Sequence, residues 1–170
     1  METNYFGVLR VNQALLPHMR EQGRGLVLVV SSVAGFFSIP FQSHYSSTKY
    51  ALEAYVEALR IESRPFGIRA CLIEPGDTRT EFTGARKVYS PEESVYHSQC
   101  VRSIKKMEKD EQNGKPPDSV AKAAERLARK KNPPIRRAVG WEYKLFACLK
   151  QILPSGLIEK ILTAMYLPKP

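Results

Sequence analysis

Residues 26–75 read LVLVVSSVAGFFSIPFQSHYSSTKYALEAYVEALRIESRPFGIRACLIEP, and the order of elements in this stretch decides the fold. It opens on LVLVV (26–30) and closes on RACLIEP (69–75). Short apolar runs without polar alternation read as strands buried on both faces, the kind found in parallel sheets. Between them SSVAGFFSIP is a loop. Residues 43–64 then read as a helix, with Ala51, Leu52, Tyr55, Val56, Leu59 and Ile61 supplying its apolar face. RPFGI breaks that helix. A helix between two such strands is a crossover, so the strands run parallel and the connection is right-handed.

The pattern extends in both directions. Residues 4–22 place Val8, Val11, Leu15 and Met19, with Leu16 beside them, at helical spacing, and Gly23 stands at the C-terminal cap. After PGDTRT (75–80) the chain is polar and irregular. Helices are predicted near 91–112 and 117–130, NPP (132–134) ends the latter, and IRRAVG (135–140) is a third, shorter strand. The tail, 141–170, reads as two amphipathic helices split at LPSG, with Ile158, Ile161, Leu162, Met165 and Tyr166 on one face of the second. The expected fold is α/β: about three parallel strands flanked by helices, with a helical extension. The expected division is a catalytic domain over 1–140 and an amphipathic extension over 141–170.

Composition narrows the function classes. The 170 residues are 43% hydrophobic and 25% charged, with a formal net charge of +9. Residues 102–131 alone hold ten Lys/Arg against five Asp/Glu. No zinc-finger, recognition-helix or RNA-binding signature accompanies that charge, so it reads as a solvated basic face and no nucleic-acid partner is expected. Cys71, Cys100 and Cys148 are far apart and odd in number. With no C-x-x-C or Cys/His cluster, neither a disulfide framework nor a metal site is expected. No apolar run reaches the ~20 residues of a membrane span, and the N-terminus lacks the order of a signal peptide. The expected location is the cytoplasm.

The chemistry concentrates at Tyr45 and Lys49. Residues i and i+4 share a helix face, so the ammonium of Lys49 lies near the phenol of Tyr45. A nearby positive charge lowers a phenol's pKa and brings it closer to working pH for proton transfer. Ser32 ends the first strand, where a parallel sheet presents residues to a ligand crevice. It precedes Tyr45 by thirteen residues, enough for a loop to return all three to one mouth of the sheet. The plain alternatives are a surface Tyr/Lys pair and a strand-end serine that caps a turn.

These residues resemble those of the short-chain dehydrogenase/reductase family. Tyr45–Lys49 matches its Y-x-x-x-K motif, and YALEAYVEALRIE is similar to the helix that follows. LVLVVSSVAG resembles its strand-plus-serine, which puts the catalytic serine on Ser32, with Ser31 as the competing serine in a supporting role. PGDTRT resembles its P-G-x-x-x-T, and TNYFGVLRVNQALLPHM its asparagine-bearing helix, which puts the tetrad asparagine on Asn4; the alternative for Asn4 is a helix cap. The closest look is to the hydroxysteroid and retinol dehydrogenase branch.

The resemblance implies a Rossmann-type doubly wound sheet and an NAD(P)-dependent oxidoreductase interconverting alcohol and ketone or aldehyde. Tyr45 would be the general acid/base. Lys49 would lower its pKa and hold the nicotinamide ribose, Ser32 would bind the reacting oxygen, and Asn4 would hold a relay water. Tyr45, Lys49, Pro75, Gly76, Thr78 and Thr80 would face an NAD or NADP cofactor. Apolar residues near the site (Phe36, Phe37, Ile39, Phe41, Phe82, Val88, Tyr89, Val95 and Tyr96) suit a steroid-, retinoid- or lipid-like substrate. Helices 4–22 and 43–64 would form a homo-oligomer interface.

One departure is large. The family opens on a strand and a glycine-rich turn, T-G-x-x-x-G-x-G, that cradles the pyrophosphate, and this sequence holds no such turn. Its G-x-G, GRG at 23–25, follows a helix and precedes a strand. The expectation is therefore a partial sheet, the family's last three strands, with its first strand at an edge and weak activity in isolation. The alternative is a non-catalytic remnant serving as an interaction module. The tail, with Trp141, Tyr143, Phe146, Lys144, Lys150 and Lys160, is expected to be a lid, a subunit contact or a peripheral contact with an anionic membrane.

Overall fold

A computed structural model describes residues 1–167. A π-helical turn at Glu2–Phe6 runs into α1 (Gly7–Glu21), followed by β1 (Gly25–Val30) and a 3-10 turn at Val33–Gly35. Then come α2 (Ser43–Ser63), β2 (Ile68–Pro75), α3 (His97–Gln112), α4 (Asp118–Ala128), β3 (Arg136–Val139), α5 (Trp141–Ile152) and α6 (Ser155–Tyr166). The strands form one parallel sheet in the order β1-β2-β3. The first predicted downstream helix starts at His97 rather than residue 91, because PEESVY forms turns ahead of it.

The central strand separates two apolar layers. Ile68, Ala70 and Leu72 face Leu52, Val56 and Leu59 of α2, while Cys71 and Ile73 face Val120, Ala123, Ala124 and Leu127 of α4. The period-2 alternation of a strand serves both layers at once. β1 is covered less completely than its sequence predicts. Val27 and Val29 are buried against α2, Leu26 and Leu28 are only partly buried, and Val30 is 52% exposed. A strand with a neighbour on one side only keeps solvent on the other.

The helical stripes also differ in detail from the sequence reading. On α1, Val8, Leu16 and Met19 pack inward, but Val11 and Leu15 are exposed. Asn12 takes the buried position and donates from Nδ2 to the Tyr55 hydroxyl at 3.1 Å. On α2, Ile61 points outward and is 74% exposed. Gly67 closes the turn into β2 with φ +70°, and a Cβ there would lie 2.1 Å from the Gly23 carbonyl oxygen. Only glycine meets both demands. All three cysteines are free thiols.

A buried acid pair ties α2 to the sheet. Glu74, in β2, and Glu53, in α2, are 1% and 6% exposed. Arg136 of β3 reaches Glu53 Oε2 at 2.9 Å, Glu57 Oε1 at 2.7 Å and Glu74 Oε1 at 3.5 Å. The Oε1 atoms of both Glu53 and Glu74 are without a hydrogen-bond partner among the described residues. One proton on Glu74, shared with Glu53, explains both. Burial, then the Glu53 charge, pushes Glu74 up to about 8 against the pull of Arg136.

Two expectations follow. Between the ordinary carboxyl value and about 8, the folded state keeps a proton that the unfolded state has lost. Stability therefore falls as pH rises through that window. Glu74→Gln, whose amide replaces the carboxyl O–H as donor to Glu53, flattens this fall. By urea midpoints from pH 5 to pH 9, the variant should gain roughly 3 kcal/mol on the parent at the alkaline end; parallel curves would show that Glu74 is not the group titrating. In the same assay Leu52→Ala should cost about 2–5 kcal/mol. Ile61→Ala should stay within about 0.5 kcal/mol.

Candidate active site

A crevice of ≈ 500 Å³ opens where the strands end, the place at which open parallel sheets receive ligands. Asn4, Ser32, Tyr45, Lys49, Pro75, Gly76, Thr78 and Thr80, all singled out in the sequence, line this one crevice.

Each side chain is positioned by a nearby element. The ladder continues past β1 as Ser31 N–H donates to the Ile73 carbonyl at 2.8 Å. Ser32 follows in extended backbone and caps the 3-10 turn, its Oγ accepting from Ala34 N–H at 3.1 Å. That same hydroxyl reaches the Pro75 carbonyl at 3.5 Å and lines the crevice with the Tyr45 phenol. Ser32 thus both caps the turn and lines the crevice. Ser31 is buried, and its Oγ lies against Gly35, where a Cβ would come within 2.8 Å; it supports the turn. Tyr45 and Lys49 stand on the first two turns of α2. Asn4 does not cap a helix with its side chain. Its Nδ2 donates to Thr48 Oγ1 at 3.1 Å, and Thr48 in turn donates to the Tyr45 carbonyl at 2.8 Å. The anchoring role of Thr48 has no signal in the sequence, since it depends on a contact 44 residues away.

The electrostatics differ from what the resemblance implies. Burial raises the Tyr45 pKa; the Ser32 hydroxyl and Arg86 pull it down, and Glu111 pushes it further up. Burial lowers Lys49, and the charge of Glu53 opposes that. The Lys49 ammonium is 5.6 Å from the centre of the Tyr45 ring and donates to the Val30 carbonyl at 3.0 Å. In this arrangement burial outweighs the Ser32 hydroxyl and the Arg86 charge, and the phenol holds its proton at neutral pH. The Tyr45 ring leans on Phe82, with centroids 5.8 Å apart.

A second, apolar cavity of ≈ 310 Å³ adjoins the crevice and shares Val33, Ile39 and Asp77 with it. Phe37 and Ile39 line it from the loop, Phe146 and Leu149 from α5, and Ile158, Ile161, Leu162, Met165 and Tyr166 from α6. The tail is therefore a wall of this cavity. Phe36 packs on Phe37 at 4.9 Å. Phe41 is exposed, with φ +60°. Of the aromatic and aliphatic residues expected from 81–96, only Phe82 lines the crevice. Val88, Tyr89, Val95 and Tyr96 face solvent, because that segment forms open turns before α3.

Two residues that the sequence reading did not assign to the site join tail to crevice. The Tyr143 hydroxyl donates to Asp77 Oδ2 at 2.5 Å and accepts from the Asp77 N–H at 3.0 Å. Its ring covers Gly76, where a Cβ would lie 2.1 Å away. Asp77 sits in the variable part of P-G-x-x-x-T, so the motif gives no reason to single it out.

Comparison with known proteins places the sequence and the fold. The sequence profile of the family described as short chain dehydrogenase matches residues 1–89. The chain is 40% identical over 169 residues to 3-ketodihydrosphingosine reductase of Bacteroides thetaiotaomicron, covering 98% of this chain and 63% of that protein. It is 31% identical over 163 residues to retinol dehydrogenase 8 of Bos taurus, covering 91% and 52% respectively. A crystal structure of a short-chain dehydrogenase from Streptomyces avermitilis superposes with TM-score 0.71 at 34% identity, covering 88% of this chain and 54% of that one. A Burkholderia phymatum enzyme solved in complex with NAD shares the fold at TM-score 0.70 and 20% identity, over 88% and 55%. The chain thus spans between about half and two thirds of the relatives it matches. With the profile spanning Asn4, Ser32, Tyr45–Lys49 and PGDTRT, the chain belongs to the short chain dehydrogenase family.

Proposed function

We propose that the protein interconverts a ketone and a secondary alcohol on a substrate with a long apolar portion, in the reducing direction, with a nicotinamide cofactor. The observation that carries this reading is one crevice holding Ser32, Tyr45, Lys49 and Asn4, opening onto an apolar cavity. When bound, the cofactor supplies the hydride. The crevice suits its nicotinamide–ribose end. Lys49 presents a donor now spent on a backbone carbonyl, Thr78 and Thr80 line the wall, and Gly76 offers bare backbone. Lys49 and Tyr45 would hold the ribose hydroxyls, and residues 75–80 the nicotinamide end.

The chain's own contribution is positioning and one proton. Ser32 Oγ donates a hydrogen bond to the substrate oxygen. Tyr45 gives that oxygen its proton as the carbonyl carbon becomes tetrahedral, and regains one from solvent. A phenol kept protonated by burial is the state that reduction requires. The lysine charge stabilises the phenolate left behind. Asn4, fixed by Thr48, would hold the water through which that proton returns.

The substrate named for the Bacteroides relative, 3-ketodihydrosphingosine, is the first ketone to supply, with NADH and NADPH in turn. The expected result is loss of reduced cofactor that depends on ketone. Tyr45→Phe should lower turnover at least about 100-fold and leave ketone binding within a few fold. Wild-type turnover by Tyr45→Phe would overturn the assignment of the acid.

A further inference from the structure

The carboxylates around the apolar cavity are not equivalent. Asp77, Asp110 and Glu142 line it, with Glu111 in the adjoining crevice. Asp110 pairs with Lys106, Glu142 with Lys115 at 3.3 Å, and Glu111 with Arg86. Asp77 has no cationic partner among the described residues, and its only side-chain donor there is the Tyr143 hydroxyl on Oδ2. The closed pair of hydrogen bonds between Asp77 and Tyr143 fixes the carboxylate in place. Asp77 also lines both spaces. A ligand with its reacting carbon at Tyr45 and Ser32 and its chain in the cavity passes directly by it.

We infer that Asp77 is a specificity-determining residue that takes a cationic amine on the ligand, so that the substrate class is a long-chain amino ketone or amino alcohol. This rests on the reading of the crevice as the reaction site. An apolar pocket gains orientation from a few placed polar groups. An uncompensated carboxylate beside apolar walls is costly to keep and strongly favours a cation. The surroundings agree. Burial, together with Asp110 and Glu111, pushes Asp77 up despite the Tyr143 hydrogen bond and the more distant charge of Lys106. Burial and then the same three carboxylates push Tyr166, across the cavity, up to about 12.

The test is binding, read by calorimetry, which needs no cofactor turnover. The probes are 2-aminododecan-3-ol and dodecan-3-ol, each below its aggregation concentration. The chain should bind the amine at least about tenfold more tightly, as expected for one charge-assisted hydrogen bond in a half-buried setting. Asp77→Asn keeps the shape and a carbonyl acceptor for Tyr143, and should bring the ratio close to one. Asp110→Asn removes a carboxylate already paired with Lys106 and should leave the ratio unchanged. Equal binding of both probes by the parent chain overturns the inference and leaves the apolar reduction site standing. A preference that survives Asp77→Asn overturns it as well, by assigning the amine elsewhere. If neither probe binds and the ketone is not reduced either, the reading of the site fails along with it.

Discussion

The structure depends on β2 being buried on both of its faces. Its residues from Ala70 to Glu74 are almost without solvent contact, because β1 and β3 hydrogen-bond its two edges while α2 and α4 cover its two sides. A strand in that position satisfies its backbone entirely within the protein. It also fixes the direction of everything beside it. With all three strands parallel, their carboxyl ends fall together, and the segments after Val30 and Pro75 are forced into the same crevice. Ser32 meets Pro75 and Tyr45 for this reason, not through any local attraction between them.

The same burial makes Glu74 informative. A carboxyl in a dry central strand is tolerated only with a partner or a proton. Here it has a share of both, a distant Arg136 and a proton held against Glu53. The pair lies directly beneath the turn that carries Ser32, with Gly35 pressed against Ser31 and Glu53. Glu53 also supports the charge of Lys49, one turn earlier on α2. A structural tie and an electrostatic support for the site are therefore one cluster.

What could be read from the sequence follows from how local each signal is. The apolar runs 26–30 and 69–75 and the 43–64 helix are set by spacing along the chain, and their positions agree with the structure to within about two residues. That these residues would share one crevice was legible because the motif places each at a strand or helix end, where chain geometry alone brings them together. The misses are of another kind. Val11, Leu15 and Ile61 have the right chemistry but sit beside the true stripe, and only the packing partner tells which side of a helix is inside. Val88, Tyr89, Val95 and Tyr96 lie in a segment without periodicity, so nothing local could tell wall from solvent. Thr48, Asp77 and Tyr143 act through contacts between 44 and 66 residues apart, which no spacing rule reaches.

Tyr143 shows how such a distant contact changes the meaning of the tail. The Tyr143 ring is seated on Gly76, and its hydroxyl is locked to Asp77 on both the backbone and the side chain. A larger residue at position 76 would expel the ring, so the glycine of PGDTRT serves the tail as well as the crevice. With α5 pinned there, α6 has one direction in which to fold back, and its apolar stripe closes a cavity instead of extending away. The apolar wall of the cavity is thus held by the loop that lines the neighbouring crevice. A change in either one moves the other.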